Sequence, residues 1–160
     1  MALSMLTAAD LADFITQHSI QAELVPMPVD TPTVADAARA LGVQPEQIIK
    51  SVVFLIDGKP YLVIARGLGK VSQGMLATLF GVGKKRVRLA PPDLALAATG
   101  YPVGAMPPFG HAQPVPTLLD RHVLDQEVIF GGGGAVDYLL RIRPAELLRV
   151  TQAQVVTVTE

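Results

Sequence analysis

Two short runs in this sequence, Val52-Val-Phe-Leu-Ile56 and Tyr61-Leu-Val-Ile-Ala65, are apolar at every position. Strands of that kind are buried on both faces, and Asp57-Gly58 lies between them, so the pattern predicts a tight hairpin of buried strands. Helices are predicted on either side. Thr7 with Asp10 forms a capping pattern ahead of Leu11, Phe14, Ile15 and His18, which recur at helical spacing, giving a helix over about 8–18. Thr33 with Asp36 starts a second helix that ends at Gly42. Pro45 opens a one-turn helix ending at Lys50, and Ser72 caps a helix ending at Gly81. Further short helices are expected over 93–99 and 144–149, and strands over 87–90, 115–119, 127–130, 138–143 and 155–159. The segment 25–29, with its two prolines, is at most an edge strand.

Hairpins mixed with helices, without a steady strand–helix–strand rhythm, point to an α+β fold with a mixed or antiparallel sheet. The 160 residues suit one domain over 1–160, with a core of Leu, Val, Ile and Ala, since aromatics make up only 5% and tryptophan is absent. With no cysteine, thiol nucleophiles, thiolate metal sites and disulfides are excluded. The balance of 13 Lys+Arg against 14 Asp+Glu argues against wholesale wrapping of nucleic acid, while leaving room for a local basic patch. No apolar run is long enough to cross a bilayer, and no signal peptide is legible, so a cytoplasmic protein is expected.

The densest cluster of special residues is Gly100-Tyr-Pro-Val-Gly-Ala-Met-Pro-Pro-Phe-Gly110, with three glycines and three prolines. Proline stiffens such a loop and glycine lets another molecule approach its backbone, so exposed amides there suit an anion or a developing oxyanion. Lys50 stands at the rim of the predicted core, where a cation can meet a carbonyl, carboxylate or phosphate; its plain alternative is a solvated lysine at a helix end. His111, directly after the loop, can line the same site. His18 reads as a partly buried structural residue and His122 as solvated, and no metal-ligand spacing joins the three. Lys84, Lys85, Arg86 and Arg88 form a basic cluster that is either a solvated face or a hold on an RNA backbone. Gly131-Gly-Gly-Gly134 lacks the Gly-Lys-Ser/Thr ending of a phosphate loop; it reads as a turn or a close backbone approach.

Five segments occur in a telling order: Ala40-Leu-Gly42, Pro45-Glu-Gln-Ile-Ile-Lys50-Ser51, Thr99 to Gly110, Pro116-Thr-Leu-Leu-Asp120 and Pro144-Ala-Glu-Leu-Leu148. Over about residues 20 to 150 the chain resembles the YbaK/prolyl-tRNA-synthetase-associated domain family. The resemblance implies a compact α+β domain with a curled, mixed sheet flanked by helices, and a free-standing deacylase that hydrolyses the ester of a mischarged tRNA. It implies no metal or organic cofactor. It matches Lys50 to the family's key lysine and Gly104-Ala-Met-Pro107 to the loop whose amides face the scissile ester, which makes Lys50, Gly104, Ala105 and Met106 the catalytic candidates; Thr33, Ser51, Pro107, His111, Gly132, Gly133 and Gly134 are the candidates for substrate binding. Lys84, Lys85 and Arg86 are candidates for RNA contact. The expected partner is the acceptor end of an aminoacyl-tRNA, with a synthetase as a further candidate, and the expected state is a monomer or weak homodimer.

Family members carry Ser or His near the position of Gly131–Gly134; glycine throughout suggests a wider or differently shaped pocket here. That departure leaves two rival readings open. One is a binding module that holds a 3′-adenosine or an aminoacyl-adenylate-like ligand without hydrolysis. The other is a structural protein in which the Gly/Pro loop is only a rigid connection.

Overall fold

The computed structural model describes residues 5–27 and 33–160. The fold is mixed α+β: among the described residues there are five α-helices and eight strands, the strands in two open sheets. Helix α1 (Ala8–Gln17) begins with the expected reciprocal cap between Thr7 and Asp10. Strand β1 (Ala22–Pro26) lies earlier than the proline-bearing segment predicted; positions 28 and 29 of that prediction fall outside the described residues. Helix α2 (Val34–Leu41) is capped by Thr33 and closed by Gly42 at φ 69°.

The central hairpin pairs β2 (Ile49–Ile56) with β3 (Lys59–Arg66). Asp57 and Gly58 both take positive φ (52° and 81°), as a two-residue hairpin turn requires. The hairpin is longer than the apolar runs, and this corrects the placement of Lys50. It is the second residue of β2, paired with Ala65, and the one-turn helix stops at Gln47. Next come α3 (Gln73–Phe80), capped by Ser72, β4 (Val87–Leu89) and α4 (Pro92–Thr99), closed by Gly100 at φ 84°. Strand β5 is Thr117–Asp120, β6 is Ile129–Gly132 and β7 is Tyr138–Ile142. Helix α5 (Pro144–Thr151) and β8 (Gln154–Val156) complete the order.

The larger sheet runs β4-β2-β3-β5-β8 and the smaller β1-β7-β6. The larger is mixed, because β3–β5 and β5–β8 pair in parallel while the hairpin and β4 are antiparallel. Alternation divides β2 as a doubly covered strand demands. Ile49, Val53 and Leu55 join the core that also holds Leu11, Tyr101, Met106 and Phe109. Phe54 and Ile56 face a second core with Leu76, Ala77 and Val87. A third cluster, Ile48, Phe130, Ala37 and Ala38, seats α2 where the two sheets meet. Among the described residues no helix is long and apolar enough to cross a membrane.

Candidate functional site

The two sheets meet at a parallel bridge between Ile48 and Phe130. One residue further, a Cβ on Gly131 would lie 3.1 Å from the Ile49 side chain. Lys50 and Gly132 each lie two residues beyond that bridge on their own strands, and Lys50 leaves β2 on the face opposite Ile49, because side chains alternate along a strand. On the face of Gly132 sits the Ala105–Met106 peptide: a Cβ there would be 2.0 Å from the Met106 carbonyl oxygen and 3.1 Å from the Ala105 carbonyl carbon. Lys50 and this stretch of the Gly/Pro loop therefore both approach the junction of the two sheets. The start of α2 closes the same corner. Gly67 donates to the Ile48 carbonyl at 2.7 Å, and a Cβ on Gly67 would strike Val34 at 2.7 Å. Thr33, next to Val34, uses its hydroxyl oxygen to accept from Asp36 N at 3.0 Å.

Lys50 is half-buried, and its ammonium donates to the Gly69 carbonyl at 2.5 Å. Burial lowers its pKa from the usual lysine value. Lys50 also lines a cleft of about 930 Å³ that continues along the β2 face past Val52 and Phe54 to Arg66, Lys70, Ser72 and Lys84.

The loop is stiff, but it is not the open shelf of amides that its composition suggests. Val103 and Gly104 are exposed, whereas Ala105 to Phe109 are buried. Ala105 N–H is engaged with the Pro102 carbonyl at 3.2 Å, while Gly104 and Met106 N–H have no backbone acceptor among the described residues. The three nominated amides thus separate into one that is engaged and two that remain available. Pro107 is buried within the loop, and its carbonyl accepts from His111 Nε2 at 2.9 Å. A carbonyl can only accept, so this bond places the proton of the neutral imidazole on Nε2. Burial pushes the His111 pKa down, partly offset by that hydrogen bond. His111 clamps the loop from behind.

The glycine run corrects two expectations. Gly131 and Gly132 belong to β6, and the turn begins only after them. The absent side chains also leave no wider pocket at 132–134, because backbone fills the space. Gly132 lies under Met106, a Cβ on Gly133 would meet the Tyr138 backbone at 2.6 Å, and Gly134, at φ 87°, abuts Ala8 at 3.0 Å. Gly134 N–H also donates to the Ala105 carbonyl at 2.9 Å. Ser51, by alternation, leaves β2 on the face opposite Lys50; its Oγ is buried without a partner among the described residues. The basic cluster divides too. Lys84 lines the cleft, whereas Lys85 does not and Arg86 pairs with Asp57 at 3.0 Å.

Some residues escaped the sequence reading. Arg66 and Lys70 in the cleft are separated along the chain from the Lys84 cluster, so no run of charge announces them. Asp120 is fully buried and accepts from Val158 N (2.9 Å), Thr159 N (3.1 Å), Thr159 Oγ1 (2.9 Å) and His122 Nδ1 (2.8 Å). His122 is therefore tied to a carboxylate rather than simply solvated. His18 departs in the other direction: it is exposed and stacks on Phe14 at 4.1 Å. Among the described residues, no cluster of three or more His, Asp or Glu side chains could hold a metal ion.

Residues 29–150 match the model of the aminoacyl-tRNA editing domain, and the chain belongs to that family. A proline–tRNA ligase of Acidithiobacillus ferrooxidans is 30% identical over 128 residues, 80% of this chain but 22% of the ligase. The chain thus spans about a fifth of the length of that relative. The uncharacterized protein YwhH of Bacillus subtilis is 27% identical over 133 residues, 82% of this chain and 83% of YwhH. A solved structure of a candidate trans-editing enzyme for prolyl tRNA synthetase superposes with a TM-score of 0.88 at 32% identity, covering 96% of each chain.

Proposed function

We propose that this chain is an aminoacyl-tRNA deacylase acting in trans in the cytoplasm, with the acceptor end of a mischarged tRNA as its substrate. The observation that carries the reading is the sheet junction: Lys50 and Gly132 each lie two residues beyond the Ile48–Phe130 bridge, and the Ala105–Met106 peptide lies against Gly132. Family membership and the shape shared with a candidate trans-editing enzyme support it.

An aminoacyl ester is already activated, so hydrolysis needs a placed water and stabilisation of the charge that develops on the carbonyl oxygen. In the proposed arrangement the Gly104 and Met106 N–H groups supply that stabilisation. Removing one such donor typically costs about 100- to 1,000-fold in rate. Lys50, held toward the Gly69 carbonyl, adds positive charge and orients the terminal nucleoside. The 2′-hydroxyl of the terminal ribose serves as proton shuttle. His111 holds the loop through Pro107, and Thr33 borders the corner from the start of α2.

The test is amino-acid release from a panel of mischarged tRNAs by the wild type and by Lys50→Ala. Release by the wild type, with a loss of at least about 100-fold in the variant, is expected, the size typical of losing one transition-state contact of this kind. No release from any member of the panel, or full activity in Lys50→Ala, overturns the assignment. Tight binding of a 3′-adenosine ligand together with catalytic silence would favour the binding-module reading.

A further inference from the structure

We propose that the cleft running from Lys50 along the β2 face is a track for the phosphates of a single-stranded RNA end. The proposal rests on the function proposed above, since it lets the nucleotides that precede the ester lie in the cleft while the ester meets the 104–106 backbone.

The charges in the cleft are arranged for it. Lys50, Arg66, Lys70 and Lys84 line one cavity, although they come from β2, β3, the β3–α3 connection and the turn before β4. Among the described residues none of the four is in an ion pair. Every arginine that does form one (Arg39, Arg86, Arg141 and Arg149) lies outside this cleft. The Nε of Arg66 is buried without a hydrogen-bond acceptor among the described residues. Leaving such a donor unsatisfied is costly, and a phosphate oxygen would satisfy it. Glu46 and Glu160 also border the cleft, so its four cationic side chains outnumber the acidic side chains two to one.

The rest of the lining favours a polynucleotide over a free anion. Leu68 and Leu89, 61% and 57% exposed, present apolar surface to the same space. Uncovered leucines of that size suit ribose and base faces. The volume, about 930 Å³, lies near the top of the range of about 300–1,000 Å³ for pockets that hold one small molecule. Lys50 lines the cleft and also lies two residues from the sheet junction that the loop approaches, so nucleotides in the cleft lead toward that junction.

The probe is a fluorescently labelled, uncharged RNA oligonucleotide ending in CCA, and its binding is followed by anisotropy across a salt series. Each phosphate contact on single-stranded RNA contributes about 0.7 to the log–log salt slope. Lys70→Ala and Lys84→Ala should each flatten the slope by about that amount and weaken binding severalfold. Glu160→Gln should tighten it, and Lys59→Ala, beside the β2–β3 turn, should leave it unchanged. No binding by the wild type, an unchanged slope in both lysine variants, or a mononucleotide that binds as tightly as the oligonucleotide overturns the proposal. Because the RNA carries no amino acid, the result is independent of hydrolysis. A chain that releases amino acids but keeps its slope in both lysine variants refutes the track alone, and one that binds RNA this way without deacylating refutes only the hydrolytic reading.

Discussion

Gly132 shows how a single residue can let two backbones meet. A methyl group there would overlap the Met106 carbonyl, so the loop would have to move. We expect Gly132→Ala to cost about 1–3 kcal/mol, as overpacking does, and to abolish deacylation. Gly131→Ala meets only side-chain atoms, Cγ1 and Cδ1 of Ile49 at 3.1–3.2 Å, which can yield by a few tenths of an ångström. It should stay within about 1 kcal/mol of wild type, helped by the entropy that alanine saves in a strand. Urea unfolding of the two variants decides this, and equal losses would show that the close approach at 132 has no special weight. That glycines mattered here was legible in the sequence; what they accommodate was not. A run of four glycines reads the same whether the space beside it is empty or filled, and only the neighbouring backbone tells them apart.

At the scale of elements, the caps and turns were the most legible features, because Thr7, Thr33, Ser72, Gly42, Gly81, Gly100 and Asp57-Gly58 act through their own local geometry. What stayed hidden depends on partners far along the chain. The β2 strand continues back to Ile49 only because Arg66 and Ala65 lie opposite to pair with it. Helix α1 and the residue before its cap pack against the Gly/Pro loop and the glycine run together, through Gly100, Gly110 and Gly134, which no local pattern reveals. Asp120 is a similar case, tying β5 to the segment at 158–159. Burial alone would raise its pKa, but the bonds from Val158, His122 and Thr159 together hold it below the ordinary value of 3.8. A carboxylate whose folded pKa is depressed contributes stability above its unfolded pKa and loses it as pH falls through the folded one. Wild-type stability should therefore drop below about pH 4, and part of that drop should vanish in Asp120→Ala. The variant itself should lose about 3 kcal/mol or more near neutral pH, since each hydrogen bond to a charged group contributes about 1.5–3 kcal/mol. Parallel acid limbs in the two unfolding profiles would remove Asp120 from this role.

At the scale of the whole molecule, the fold brings two sheets edge to edge at the Ile48–Phe130 bridge, two residues from Lys50 in the larger and from Gly132 in the smaller, where the loop backbone lies against Gly132. Both the lysine and the loop stood out in the sequence, one as a cation at the rim of a core and the other as a cluster of glycine and proline. Their meeting place did not, because it depends on a parallel bridge between segments about eighty residues apart in the chain. The cleft beyond Lys50 was hidden for the same reason, since its cations come from four separate stretches. The central claim is that an ester carbonyl sits between Lys50 and the loop amides. A crystal structure with a non-hydrolysable amide analogue of aminoacyl-adenosine tests it most directly. The account predicts the analogue's carbonyl oxygen within about 3 Å, the length of a hydrogen bond, of Gly104 or Met106 N, with Lys50 on the same side of Gly132. An analogue bound with that oxygen turned away from both amides would contradict it.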